Sequence, residues 1–587
     1  MGTDAMRVAA IVDRVLSGRL SAEIVARDCL ARVADYDRIQ PQAWISRFSD
    51  EDILAAARAV DARIAGGAAL ALAGVPFAVK DNIDVVGLPT TAACPDFAYL
   101  PQRSAAVVEK LLAAGAICIG KTNLDQFATG LNGTRSPYGA PRCVFNLDYV
   151  SGGSSSGSAV AVGAGLVPFA LGTDTAGSGR VPAAFNDLVG HKPSKGRWSA
   201  TGLLPACRSL DCITVFAADA ADCALIDGVV AGFDAEDIYS RALADRPVGS
   251  RLGVPLPANR PWFGDHEAEW LFERAVERLA GLGYSLHPVD IAPLLDAARL
   301  LYDGPWVAER TAAIEDFLRM RPDAMDPTVR TIVAAGLEKT AVDAFRGQYR
   351  LAEYARAAEA MWREIDALVV PTSPTIYRVC EMLANPVALN SHFGTYTNFV
   401  NLLDMAAIAV PAGFRLNGTG FGISFFAPAS TDRALLAMAQ DWGNPYQSPK
   451  LDLEGRMERV RLAVVGAHLK DMPLHWQLSS RDAQLVAATE TAPTYRLYAM
   501  ADCTPAKPAL VYDADQGAAI DVEVYEMDVA DFGSFVAEVP PPLAIGTVVL
   551  ADGTQVKGFV AEPRALVGAR EITGLKSWRR FVAEEQV

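Results

Sequence analysis

The stretch 151-SGGSSSGS-158 holds five serines and three glycines, and an apolar run, AVAVGAGLVPFALG, follows it directly. How these eight residues are read decides the fold. Their composition is that of a flexible linker, yet linkers join domains, and this stretch lies inside continuous strand and helix patterning. A phosphate-cradling loop is a second reading, but neither a Walker lysine nor a spaced G-x-G-x-x-G is present. A loose G-x-S-x-G elbow is a third, and it would need a histidine to complete a Ser-His-Asp triad. The chain has six histidines, His191, His266, His287, His392, His468 and His475, and no sequence feature singles one out as a base.

Outward from this stretch, strand and helix signals alternate as in an α/β domain. SAEIVARDCLARVADYD from Ser21 predicts a helix with a serine N-cap and Val25, Cys29 and Val33 on one face. GVPFAVKDNID reads as a short strand ending at a lysine, Lys80. SAAVVEKLLAAGAICIGKTN reads as a helix closed by Gly115 and then a strand. Helical patterns dominate from about residue 266 to 365, after which LVVPTSP and AAIAVPAG return as strands. The polar, Pro- and Gly-containing segment 441–460 reads as a linker. Beyond it RLAVVGAHL, TYRLYAM, PALVYDA, AIDVEVYEM and TVVLADGTQVKGFVAE form a β-rich pattern with a DG turn. The expected division is therefore 1–440, linker 441–460, and 461–587.

At 587 residues, 51% apolar and 21% charged, the chain has the composition of a multidomain globular protein with a large core. A net charge of −16 leaves no basic excess for phosphates, so neither nucleic acid nor an anionic membrane surface is expected as a partner. Nine scattered cysteines without a C-x-x-C pair point to a reducing compartment, with no disulfide framework and no zinc site. The first residues lack a signal-peptide core, and the apolar run 157–172 is shorter than a membrane span and contains Pro168. We expect a cytoplasmic protein.

Three separated segments carry the chemistry. Lys80 ends GVPFAVK; Ser154 lies 74 residues on in SGGSSSGS; Ser178, in GTDTAGSGRVPAAFN, lies a further 24. In this order and spacing they resemble the amidase signature family of serine hydrolases, over about residues 1–430. The resemblance implies an α/β fold with a central mixed sheet flanked by helices. It implies Ser178 as nucleophile, Ser154 as a bridging serine preceded by a cis peptide bond, and Lys80 as base, with no metal or organic cofactor. A serine hydroxyl needs a neighbour to take its proton, and a lysine can do so only when its site disfavours the charge. The backbone N–H groups of Thr175, Ala176, Gly177 and Ser178 would face the oxyanion, supported by Ser155, Asp174 and Arg180.

The variant TAGS before GRVPAAFN, GLNGTRSPYGAP at 130–141, and the C-terminal domain itself resemble the allophanate hydrolases within that family. By this resemblance the substrate is allophanate, a small anion with a primary amide, and Tyr302 and Arg310 in LYDGPWVAERTAAIEDFL hold its carboxylate. Pro305 reads there as a first helical position. The C-terminal domain resembles the γ-glutamylcyclotransferase-like α+β fold more distantly, with His468 and Glu490 as polar candidates, or else serves as a scaffold. A homodimer and a functional link to a urea carboxylase are also implied. The alternatives are another amidase, such as the glutaminase component of a tRNA-dependent amidotransferase, which lacks this C-terminal domain, or a non-catalytic scaffold.

Overall fold

The computed structural model describes residues 7–444 and 459–585, apart from 482, 502 and 504. The expected linker, 441–460, therefore lies largely outside the described residues. The chain forms two compact units, Met1–Leu451 and Asp452–Val587.

The first unit is built on eleven strands: β1 Trp44–Arg47, β2 Pro76–Lys80, β3 Ile117–Thr122, β4 Phe169–Asp174, β5 Val189–Lys192, β6 Cys212–Ala217, β7 Arg251–Pro255, β8 Ser285–Val289, β9 Ala367–Pro371, β10 Met405–Phe414 and β11 Gly420–Pro428. They form one mixed sheet in the order β1-β3-β2-β4-β6-β5-β10-β11-β9-β7-β8, flanked by helices. β2 runs parallel to both neighbours, β3 and β4. Every residue of β2, β3 and β4 is buried, as expected of strands covered on both faces. Phe77 of β2 stands opposite Phe169 of β4, and their rings stack at 5.2 Å. Burying each such ring contributes about 1.5–3 kcal/mol, which locks together the two strands that end at Lys80 and Asp174.

Local chemistry places the flanking elements. Ser21 Oγ accepts from Ile24 N–H at 3.1 Å and caps the helix Ala22–Asp37, whose Val25, Cys29 and Val33 are buried. Gly115, at φ +94°, turns the chain out of the helix Ala106–Ala113 and into β3. The apolar run 157–172 is divided between the helix Ser156–Gly163 and β4. Among the described residues no helix is long and apolar enough to cross a membrane. The helical region holds His266–Gly281, Ala292–Arg299, Trp306–Met320, Pro327–Ala334 and Ala341–Glu364. It also holds β8, which the pattern missed: SLHPV sits at the sheet edge with only Val289 buried, so it lacks a strong apolar signature.

The second unit is β-rich. Strands β12 Arg459–Val464, β13 Gln484–Glu490, β16 Asp521–Asp528, β17 Leu543–Val549 and β18 Gln555–Ala561 form a sheet in the order β13-β16-β12-β18-β17. A smaller sheet pairs β14 Tyr495–Ala499 with β15 Pro508–Tyr512 and β19 Arg570–Glu571. The core is apolar, from Leu462, Val464, Leu497, Val524 and Trp578.

Candidate active site

The serine- and glycine-rich stretch is interior. Ser151, Ser154, Ser155, Ser156 and Ser158 are all 0% exposed, so each hydroxyl needs a partner. Ser151 Oγ donates to Pro141 O at 2.8 Å, Ser155 Oγ to Thr173 O at 3.1 Å, and Ser158 Oγ to Leu171 O at 2.9 Å. The glycines permit close backbone approach. A Cβ on Gly153 would lie 2.2 Å from Asp125 Oδ2, and one on Gly152, at φ +75°, 2.9 Å from Pro182 Cα. The Gly153–Ser154 peptide bond is cis. Lys80, at the carboxyl end of β2, reaches this loop: its Nζ donates to Ser154 Oγ at 2.7 Å and to Thr173 Oγ1 of β4 at 2.7 Å.

Beyond β4 the chain turns through residues 175–178 into the short helix Val181–Phe185. Asp174 and Arg180 brace the turn from within. Arg180 Nε and Nη2 each donate to the Asp174 carboxylate at 2.9 Å, in a pair with no solvent exposure. Burial alone would raise the Asp174 pKa, but the Arg180 charge and hydrogen bonds outweigh it and hold the carboxyl below its usual value. Asp174 also accepts from Gly179 N–H at 3.0 Å and from Gly177 N–H at 2.8 Å. The Gly177 N–H, an expected oxyanion donor, is thus also the donor that ties the turn to Asp174. The glycine is required there for another reason, since at φ +133° its Cβ would lie 2.4 Å from Thr397 Oγ1. Thr175, Ala176 and Ser178 N–H groups have no such acceptor among the described residues. Ser178 is 2% exposed, and its hydroxyl makes no hydrogen bond among the described residues.

Burial draws the Lys80 pKa from that of an ordinary lysine down to about 7; Asp125, Asp211 and Asp174 pull it up, and the Arg310 charge pushes it down further. The ammonium and the amine are then both accessible near neutral pH, as a base that must accept and return a proton requires. Two of these carboxylates escaped the sequence reading. Asp125 is fully buried beneath the loop; its carboxylate accepts from the N–H groups of Asn132, Gly133 and Arg135 at 3.0–3.1 Å, and its own N–H donates to Ser154 O at 3.0 Å. An aspartate ahead of a Gly- and Asn-containing turn is the one local signal that pointed to it. Asp211 has no local signature at all.

Arg310 lies in the helix Trp306–Met320, which starts one residue later than expected, with Pro305 as the residue before it. Arg310 is 2% exposed. Its Nη1 donates to Thr129 Oγ1 at 3.2 Å, its Nη2 to Tyr302 Oη at 3.3 Å, and it lies 5.2 Å from the Tyr302 ring centre. Nε makes no hydrogen bond, and no carboxylate among the described residues pairs with it. A buried cation with an unused donor suits a carboxylate brought by a ligand.

The histidines lie elsewhere. His191 Nε2 sits 3.6 Å from Asp432 Oδ1, and His392 stacks on Phe263 at 3.7 Å and bonds Tyr377 Oη at 2.6 Å. In the second unit His468 bonds Gln477 at 2.7 Å, stacks on Phe559, and lines a pocket with Lys507, Phe535 and Glu538. Glu490 is exposed at the end of β13 and does not line that pocket, so the two candidates are not brought together. Among the described residues no group of three or more His, Cys, Asp or Glu side chains could hold a metal ion.

Residues 26–436 match the amidase family and residues 460–583 the allophanate hydrolase C-terminal domain. The chain belongs to the amidase signature family and carries an allophanate hydrolase C-terminal domain. The chain is 44% identical over 564 residues to urea amidolyase from Saccharomyces cerevisiae, covering 91% of this chain and 31% of the relative. It spans about a third of the length of that relative and of the Lachancea kluyveri urea amidolyase, at 31% and 32%. A solved structure of Kluyveromyces lactis allophanate hydrolase is 41% identical, with a TM-score of 0.71, and the match covers 98% of this chain and 99% of that chain. A glutamyl-tRNA(Gln) amidotransferase component from Symbiobacterium thermophilum is 34% identical, covering 72% of this chain and 93% of the relative.

Proposed function

We propose that this protein hydrolyses allophanate by a serine acyl-enzyme route. Neutral Lys80 takes a proton from Ser178 through the Ser154 hydroxyl, which accepts on one side and donates on the other. Ser178 Oγ attacks the primary amide carbon, and backbone N–H groups of Thr175, Ala176 and Ser178 stabilise the oxyanion. The proton returns from Lys80 through Ser154 to the leaving nitrogen, and ammonia departs. Water, activated by the same relay, then frees a dicarboxylated amine that loses carbon dioxide, the end products being ammonia and carbon dioxide. Ser155, Asp174 and Arg180 hold the machinery in place, while Arg310 and Tyr302 bind the substrate carboxylate.

The observation that carries the substrate class is the buried Arg310 guanidinium without a carboxylate partner among the described residues. A glutaminase reading is disfavoured by the full-length likeness to the Kluyveromyces lactis allophanate hydrolase, which extends through the C-terminal domain. We further propose that 1–440, 441–460 and 461–587 are amidase domain, linker and C-terminal domain, the last akin to the γ-glutamylcyclotransferase-like fold. The protein would work in the cytoplasm as a homodimer, taking allophanate from a urea carboxylase. Ammonia release from allophanate, biuret, malonamide and glutamine is the test: turnover of glutamine at the rate of allophanate would overturn the substrate assignment.

A further inference from the structure

One short segment, residues 205–211, is fastened at both ends to parts of the site that are distant in sequence. At one end Thr175 Oγ1, in the turn that carries Ser178, donates to Asp211 Oδ1, and Asp211 Oδ2 accepts from Ala206 N–H at 2.7 Å and Cys207 N–H at 3.1 Å. Asn401 Nδ2 adds a cross-tie, donating to both Asp174 O at 2.8 Å and Leu210 O at 3.0 Å. At the other end Ser209 donates twice to Glu309, the residue beside Arg310: its N–H to Oε1 at 2.7 Å and its hydroxyl to Oε2 at 2.8 Å. Between these anchors Ala176, Cys207, Leu210 and Leu301 share one apolar cluster, against which Tyr302 packs.

Each contact is ordinary, but together they connect the nucleophile turn to the arginine helix through seven residues. Both carboxylates are fully engaged, Asp211 by three donors and Glu309 by the two of Ser209. Hydrogen bonds to charged acceptors are about twice as strong as neutral ones, so the segment resists stretching. We propose that residues 205–211 form a strut that fixes the span from Ser178 to Arg310, with Ser209 and Glu309 as the positioning pair that sets acceptable substrate length. The inference rests on the substrate reading above. On this proposal, a substrate held at its carboxylate by Arg310 would present its amide to Ser178 when one atom separates the two groups, as in allophanate or malonamate. Succinamate, one methylene longer, would overshoot, and biuret, the neutral isostere of allophanate, offers the arginine a carbonyl oxygen but no charge.

Glu309→Ala removes both acceptors, and Glu309→Gln keeps one carbonyl acceptor for Ser209. For Glu309→Ala we expect kcat/KM for allophanate to fall on the order of tenfold, since small misplacements of reacting groups are costly. Biuret turnover should fall by a smaller factor, because it makes no ion pair with the arginine. The wild-type preference for malonamate over succinamate should shrink by a factor similar to that for allophanate, with Glu309→Gln and Ser209→Ala, which each keep one of the two hydrogen bonds, intermediate. Thermal melts verify that the variants are folded. An unchanged malonamate preference in folded Glu309→Ala overturns the strut while leaving the substrate reading standing. Equal losses on all four amides overturn it too, by making Glu309 a general structural residue. A wild-type enzyme with no preference for allophanate over biuret would instead remove the substrate reading itself, and the strut with it.

Discussion

Lys80 in the first unit and His468 in the second are both nitrogen bases withdrawn from solvent, and burial lowers the pKa of each. Their surroundings differ. Lys80 touches two hydroxyls, Ser154 and Thr173, and lies within the field of three carboxylates and Arg310. His468 is stacked on Phe559, faces Phe535 edge-on, and has Gln477 as its side-chain hydrogen-bond partner. A base becomes a proton shuttle when a transferable hydrogen lies beside it, and of the two only Lys80 has side-chain hydroxyls as hydrogen-bond partners. The comparison teaches that a perturbed base is weak grounds for a site until its neighbours are counted.

The sharpest way to break this contrast is to remove one hydroxyl. Ser178→Ala should lower ammonia release from allophanate on the order of 10⁴-fold or more, with Ser154→Ala nearly as severe, because members of such a relay act as a unit. His468→Ala should leave ammonia release within about twofold. A steady-state ammonia assay on folded protein decides, and comparable losses in the two units would erase the distinction.

The pH profile tests the base. Lys80 must be neutral to accept a proton and its pKa lies near 7, so kcat/KM should rise with pH, about tenfold per unit below that value, and level off above it. Lys80→Ala should lose most activity and flatten that limb. A wild-type profile that is level across the acidic range would show that another group is the base.

Arg310→Lys keeps the charge but loses the planar fork, so allophanate turnover should drop roughly 10- to 100-fold, from one or two charge-assisted hydrogen bonds. Biuret should be much less affected, and equal losses would make Arg310 structural. A small effect is expected from the largest change. A chain shortened to residues 1–451 should still release ammonia within about threefold of the full chain, because a unit of this size with its own core folds alone. Following carbon dioxide separately would reveal a chemical step in the second unit if its release slowed while ammonia release did not.

Much of this architecture was legible because it is written locally. The β2 run PFAVK, the Ser21 cap and Gly115 are each specified by a few adjacent residues, and the DG turn of TVVLADGTQVKGFVAE joins β17 to β18 as read. The meeting of Lys80 with Ser154 was legible through three spaced segments taken together. What was missed is long-range or weakly patterned. Asp211 acts on Thr175 from 36 positions away, and Asn401 reaches Asp174 across 227; no periodicity encodes such contacts. β13, QLVAATE, escaped because it is an exposed edge strand without clear alternation. The hydrogen bond from Gly177 N–H to Asp174 was not legible either, because residue type alone does not tell which acceptor a backbone N–H finds.

Burial is the main reason that the Lys80 pKa is low, and the Arg310 guanidinium adds to it, a coupling that runs in both directions. A carboxylate settling on Arg310 cancels its charge, so the lysine pKa climbs in the complex, and the anion in turn binds more tightly when the lysine carries its proton. Substrate is thus also a titrant. Near neutral pH its arrival draws protons out of the buffer, so the heat of binding of an unreactive anion will change with the ionisation enthalpy of the buffer chosen. The acid limb of kcat, which belongs to the loaded enzyme, will sit at higher pH than the limb of kcat/KM, which belongs to the empty one.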